Sequence, residues 1–322
     1  MRLPGMLLRA TMFALVSPMC AAQSYPAKPV RIIVPQPAGS TPDLVARLIA
    51  PGLSTLFGQQ FIIDNRGGAG GMIGTEIAAR ATPDGYTLVV GTPGTLTIMQ
   101  HVQKNVPYDS LRDFVPIGLI SIGPYVFVAH PSVPVKTIKE VIALAKTEPG
   151  KLLYGSAGNG STNHLAMELF KSMAGVNITH VPYKGGPQAT TDLIGGHVHL
   201  SMLSIAPILP HIKAQRLRVL GVTSAKPTPQ LPGAPSISQE GVAGYEAFTW
   251  FGLLAPARTP KDILNRLSKA LPEIMRTPET RSQFERQGVD PAESSPDKLL
   301  ALIRHETEVY GKLVKLSGMK VD

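Results

Sequence analysis

Residues Leu152–Ala174 read LLYGSAGNGSTNHLAMELFKSMA. Leu152–Gly155 predicts a short strand. Thr162–Ala174 predicts a helix, because Ala166, Leu169, Phe170 and Met173 fall on one face. Gly155–Thr162 lies between them and holds three glycines and three hydroxyl residues in eight positions. Glycine lets a ligand approach the backbone closely, and a helix start presents unpaired N–H groups and the positive end of the helix dipole. Such a junction holds a carboxylate or phosphate without Lys or Arg.

The same strand–turn–helix pattern occurs near the N-terminus. Val30–Val34 (VRIIV) is a β-branched run. It leads into Pro37-Ala38-Gly39-Ser40-Thr41-Pro42-Asp43, and Thr41–Ala50 predicts a helix with Thr41 as N-cap and Pro42 in its first turn. For either turn alone, ordinary helix capping competes with ligand binding, since Ser, Thr and Asp start helices everywhere. Asp43 reads as a first-turn dipole residue. Further strands are predicted at Phe61–Asp64, Tyr86–Gly91, Val115–Ile120, Tyr125–Ala129, Ile178–Tyr183, Val198–Leu203, Leu217–Thr223 and Phe248–Ala255. Helices are predicted at Thr137–Lys146, and from Pro260 onward to a last segment at Pro296–Ser317. This alternation gives an α/β fold with mostly parallel strands.

Two Gly/Pro-bearing connections, near Ser121–Pro124 and near Ala225–Tyr245, suggest that the chain crosses twice between two lobes. Lobe 1 is then 23–123 with 246–322, and lobe 2 is 124–245. Clefts between lobes and the carboxyl ends of strands are favoured ligand sites. One Gly/hydroxyl turn per lobe, facing across that cleft, would grip an anionic ligand.

Composition narrows the class. In 322 residues, 43% are apolar and 16% charged, which excludes a long disordered chain. Proline (30 residues) is nearly twice its usual share without any period, so it punctuates short elements. Residues 1–22 read as a secretory signal, with Arg2 and Arg9, the apolar Thr11–Val16 and small residues before cleavage at Ala22. Lipidation at Cys20 is the weaker alternative, because Ser17-Pro18-Met19 is a poor approach to a lipidated cysteine. Cleavage would remove the sole Cys, and losing Arg2 and Arg9 takes the net charge from +9 to +7. Export without a disulfide framework or an anchor points to the bacterial periplasm. Without Lys/Arg clusters the basic balance does not suggest nucleic acid and fits a small anionic ligand better.

Other chemistry finds little support. Asn65–Gly74 (NRGGAGGMIG) follows a strand, but its spacing, Gly68-x-Gly70-x-x-x-Gly74, is not that of a dinucleotide fingerprint. The acidic partner at the end of the next strand is also missing, so no cofactor is expected. Those glycines read as tight helix–sheet packing or a mobile loop. His197 and His199 lack a third ligand, so no metal is expected. No Gly-x-Ser-x-Gly occurs. His164 reads as helix-start packing, Lys184 as a solvated lysine or a counter-charge, and Trp250 and Phe251 as core.

The exported N-terminus, Pro35–Arg47 (PQPAGSTPDLVAR), Asp64–Gly74 (DNRGGAGGMIG), Pro83–Gly91 (PDGYTLVVG), Tyr154–Leu165, His180–Gly185 (HVPYKG) and Trp250–Pro256 (WFGLLAP) together resemble the Bug family. These are the periplasmic substrate-binding proteins of tripartite tricarboxylate transporters. The resemblance runs from about Tyr25 to Asp322. It implies a two-lobed periplasmic-binding-protein fold of the second type, with a carboxylated small molecule held in the cleft by main-chain N–H groups, hydroxyls and water. Carried over, the first-lobe loop is Gln36–Thr41 (Gln36, Gly39, Ser40, Thr41), with Thr92–Thr95 (Thr92, Thr95) beside it. The second-lobe loop is Ser156–Thr162 (Ser156, Gly158, Asn159, Gly160, Ser161, Thr162), with Tyr183 and Ser204 lining the cleft. The family often has an aromatic residue where this chain has Gln36 and a second glycine where it has Ser40, which adds polar groups at the ligand mouth. The implied role is a receptor that hands an organic acid to membrane permease subunits, without catalysis. Docking of the liganded form on a sensor kinase is the alternative, and a serine hydrolase using Ser161 with His164 the remote one.

Overall fold

The computed structural model describes residues 25–317, so the proposed signal at 1–22 lies outside the described residues. Nine strands among the described residues are β1 (Val30–Val34), β2 (Phe61–Asn65), β3 (Thr87–Gly91), β4 (Phe114–Ala129), β5 (Leu153–Ser156), β6 (Thr179–Pro182), β7 (Leu200–Ser204), β8 (Arg218–Val222) and β9 (Phe248–Pro256). They follow the order β2-β1-β3-β9-β4-β7-β5-β6, with β8 also on β4. β1 pairs in parallel with β2 and β3, and β5 in parallel with β6 and β7. Every pairing of β4 or β9 is antiparallel. The expectation of mostly parallel strands is therefore corrected. The parallel ladders form the flanks, where helical crossovers connect the strands. β4 and β9 are the direct passages between lobes and run against their neighbours.

β4 is also one strand of sixteen residues, where the sequence suggested two. Its register against β9 shifts between Pro116 and Gly118 and between Leu119 and Ser121. Such bulges absorb residues that read as strand breakers. Pro124 is its last partner for β9, opposite Phe248, and Tyr125 is its first for β7, opposite Ser204. The ladder thus changes hands between consecutive residues. Beside this point the Thr223 hydroxyl accepts the Tyr125 N–H at 2.8 Å and lies 2.6 Å from the Ala247 carbonyl. At the end of the Gly/Pro-bearing connection near Ala225–Tyr245, Ile237, Val242 and Tyr245 are buried with Tyr154 and Phe170, and β9 begins at Phe248.

The buried residues fall into separate clusters. Val34, Ile49, Leu88, Leu253 and Leu267 share one core, and Phe127, Tyr154, Met167 and Leu200 share another. A smaller cluster joins the lobes, with Met99 and Val102 of the first against Leu165 of the second and Val314.

Ten helices are described. α1 spans Thr41–Phe57, α2 Met72–Ala79, α3 Met99–Val102, α4 Ile138–Thr147, α5 Thr162–Ala174, α6 Gly186–Ile194, α7 Ile205–Lys213, α8 Lys261–Met275, α9 Pro278–Arg286 and α10 Pro296–Ser317. Ser40, with extended backbone, is the N-cap of α1, so Thr41 is its first residue and not its cap. α1 runs on through Pro51 because its apolar face continues at Leu53, and left-handed Gly58 ends it. α6 and α7 were not foreseen.

Candidate functional site

A cavity of about 630 Å³ opens between the lobes, a size typical of small-molecule sites. The first lobe lines it with Gln36, Gly39, Ser40 and Thr41, then with Thr92, Gly94, Thr249 and Phe251. The second lobe brings Ser161, Thr162, Asn163, Pro187, Thr190 and Ser204. Tyr125, where β4 changes partners, also lines it.

The starts of α1, α5, α6 and α7 all contribute lining residues. Each start carries N–H groups without an intrahelical partner and the positive end of its dipole. Asp43 is the only acidic first-turn residue among these four helices. It is buried, accepts the Gly39 N–H at 2.9 Å and pairs with Arg47. Burial alone would raise its carboxyl, but the Arg47 and Gly39 hydrogen bonds outweigh that and hold it below the usual carboxylate range. Among the described residues no Asp or Glu lines the cavity. The field inside therefore favours an anion.

Ser40 makes the strongest individual case. It caps α1 without a side-chain cap bond, and its buried Oγ has no hydrogen-bond partner. An unpaired buried hydroxyl costs about 1–3 kcal/mol, a cost that a bound acceptor would remove. Gln36 also lines the mouth, but its amide donates to the Gly70 carbonyl at 3.3 Å, so part of its polarity holds the glycine loop.

Several expected residues support the cavity without lining it. Thr95 is buried beneath Thr92, whose N–H donates to the Thr95 hydroxyl at 3.2 Å, while Tyr108 donates to the Thr95 carbonyl at 2.6 Å. Ser156 lies 2.6 Å from His180 Nε2 and accepts the Gly158 N–H at 3.1 Å. Burial first, then the nearby His164 and Lys171, push the His180 imidazole down to about 3, so it stays neutral. His164 stacks on His180, with ring centres 4.1 Å apart. The Tyr183 hydroxyl donates to Asp192 at 2.8 Å. Gly158, Asn159 and Gly160 face the first lobe across the cavity mouth: a Cβ on Gly158 would stand 3.7 Å from the Gly70 backbone, and one on Gly160 2.8 Å from Val102.

At this mouth the lobes touch. Gly94 N–H donates to Thr162 Oγ1 at 2.9 Å. A Cβ on Gly70 would lie 2.6 Å from the Asn159 carbonyl oxygen, and one on Gly185 2.4 Å from the Pro37 ring. A Cβ on Gly74 would lie 2.5 Å from the Arg66 carbonyl oxygen. The Asn65–Gly74 glycines thus give both close packing within the first lobe and contact with the second.

Sequence reasoning missed α6 and the far end of α7. Gly186, Pro187, Thr190 and Thr191 line the cavity, as do His211 and Arg216. A signal for α6 was available: Gly185-Gly186-Pro187 repeats the glycine-then-proline helix start of Gly39–Pro42. Lys184 is exposed and does not line the cavity.

The sequence profile of the tripartite tricarboxylate transporter family receptor matches residues 45–319. Protein BugT of Bordetella pertussis is 32% identical over 302 residues, covering 94% of this chain and 93% of BugT. The structure of R. palustris Rpa4515 with adipate superposes with a TM-score of 0.88 at 37% identity, covering 91% of this chain and 98% of that one. MatC from Rhodopseudomonas palustris with bound malate gives a TM-score of 0.86 at 27% identity, covering 90% and 100%.

Proposed function

The chain belongs to the tripartite tricarboxylate transporter receptor family, in which the Bug proteins fall, and from that premise we propose that it captures a small carboxylate-bearing metabolite and delivers it to the transporter's membrane permease. The family's members are solute-binding receptors and not enzymes. One observation carries the ligand reading: the starts of α1, α5, α6 and α7 converge on a cavity with no acidic side chain in its lining. The unpartnered Ser40 hydroxyl supports it. So do the acids held by two relatives, adipate and malate.

In this reading the lobes are 23–123 with 246–322, and 124–245. They hinge where β4 passes from β9 to β7 and where the chain returns beside it into β9, at residues 245–248. Closure over the ligand brings Gly94 to Thr162 and Pro37 to Gly185, and the closed form is what the permease receives. The proposed signal at 1–22 sends the chain to the periplasm and is removed near Ala22. The test is mass spectrometry of small molecules released from freshly purified protein, followed by a thermal-shift panel of carboxylates. A raised melting temperature with at least one carboxylic acid is expected, because a ligand that binds only the folded form stabilises it. Stabilisation by neutral sugars or cations alone would overturn the reading.

A further inference from the structure

We propose that the cavity is shaped for an elongated dianion, with one acid group at the helix starts near Ser40 and Thr162 and the second held by Arg216 and His211 at the opposite end. This rests on the carboxylate-receptor reading above and extends it to the ligand's length and second charge.

The shape comes from two helices. α6 lines the cavity over its whole length, from Gly186 and Pro187 through Thr190 to Ile194, and on to Gly195. At 1.5 Å per residue, Pro187 to Gly195 spans about 12 Å. α7 does the same from Ser204 through Pro207 to His211, a span of about 10 Å. Arg216 follows, its N–H donating to the His211 carbonyl at 2.9 Å, so both side chains belong to the C-terminal end of α7. Ile194, Leu203 and Pro207 add apolar lining without charge, Pro207 lying between the two ends of α7.

The ends differ electrically. At the near end the helix starts supply N–H groups and positive dipole ends, so an anion needs no charged side chain there. At the far end α6 and α7 present their C-terminal, partly negative ends. An anion settles there only beside a formal cation. Among the described residues, Arg216 and His211 are the only Lys, Arg or His side chains lining the cavity. Arg216 takes part in none of the ion pairs formed among the described residues. Its planar fork suits a carboxylate.

The length also selects. The volume is room for about twenty waters at their liquid density. A four-carbon diacid fills a small part of it and cannot reach both ends.

Isothermal titration of the full mature chain with butanedioate, hexanedioate, octanedioate and octanoate tests this. Octanedioate is expected to bind at least tenfold more tightly than octanoate and than butanedioate. Arg216→Gln, and His211→Gln with Arg216→Gln, should remove that advantage over octanoate while leaving octanoate binding unchanged. Arg216 is exposed, so the variants are expected to melt with the wild type. Ser40→Ala should weaken all four acids alike. Equal binding of octanoate and octanedioate by the wild type, butanedioate binding as tightly as octanedioate, or equal losses for both eight-carbon acids in Arg216→Gln would overturn the far-end assignment and leave the receptor reading standing. Failure of the wild type to bind any of the four acids, while the wider carboxylate panel finds a ligand, would overturn the elongated dianion alone; failure of that panel too would overturn the carboxylate reading.

Discussion

Gly94 and Thr162 are sixty-eight residues apart and joined by one hydrogen bond, the Gly94 N–H donating to the Thr162 hydroxyl at 2.9 Å. The bond ties the turn after β3 to the start of α5, one from each lobe, with both groups in the cavity wall. Thr162→Val keeps the shape and removes the acceptor. The buried N–H is then unpaired only while the lobes are together, at a cost of about 1–3 kcal/mol. Titration of the bound acid should show a Kd raised roughly tenfold. An unchanged Kd would mean that this bond takes no part in closure.

Gly70 sets a steric limit on the same closure. Its φ is +65°, and a Cβ there would stand 2.6 Å from the Asn159 carbonyl oxygen and 2.9 Å from Met99 Cε. Gly70→Ala adds the left-handed penalty of about 1–2 kcal/mol and a contact with the flexible end of Met99 in its own lobe, while the clash with the Asn159 carbonyl oxygen arises only in the closed form. In small-angle scattering the wild type should compact when ligand is added, and the variant should stay expanded. Gly233→Ala, whose Cβ meets nothing within 4 Å, is the control and should behave as wild type.

Ser40 separates binding from folding. Its hydroxyl is buried without a hydrogen-bond partner among the described residues while the lobes touch, so Ser40→Ala takes no hydrogen bond from the fold and should leave the thermal melt without added ligand unchanged or slightly higher. Ligand affinity should fall about tenfold. A large loss of stability in the free protein would show that the hydroxyl serves the fold.

Glu306 predicts a pH dependence. It accepts the Trp250 indole N–H at 2.8 Å, and burial pushes its carboxyl up to about 7, the Trp250 and Thr97 hydrogen bonds opposing only part of that rise. The folded protein therefore keeps a proton that the unfolded chain releases near 4.5. The stabilisation is complete below 4.5 and is lost as pH rises through 7. Glu306→Gln keeps the acceptor without the charge. Denaturant unfolding should give equal stabilities at pH 4.5, with the variant ahead by on the order of 3 kcal/mol at pH 8. A constant difference at both pH values would refute the assignment.

Much of the near half of the site was legible in the sequence. Val30–Val34 and Thr162–Ala174 are element boundaries in the structure as expected, because a β-branched run before Pro35 and a one-sided apolar face before Gly175 leave few alternatives. The hydroxyls were harder to sort. Ser161 and Thr162 line the cavity while Ser156, in the same loop, is turned beneath it onto His180. Residue type announces a polar turn but not which side of it faces the ligand. The far half was not legible. α6 and α7 each begin beside a glycine or serine and contain Pro187, or Pro207 and Pro210, so their periodicity is masked by residues that usually end helices. β4 was divided for the same reason: Gly123 and Pro124 read as punctuation, and only the ladder with β9, opposite Thr249 and Phe248, shows that the strand runs through them.

The transfer of β4 from one partner to another governs how the chain is assembled. β9 cannot join β4 until residues 125–247 have been synthesised, so the first lobe is left with an unfilled place in its sheet while the second is made. Pairing Pro124 with Phe248 directly would require closing a loop of more than a hundred residues, with the entropy loss that this entails. Once the second lobe has folded, its two ends are already side by side, joined through Thr223 to Tyr125 and Ala247. The long loop then behaves as a short one. The inserted lobe acts as a template for completing the lobe that it interrupts, and hydrogen exchange during refolding should find its strands protected before β9.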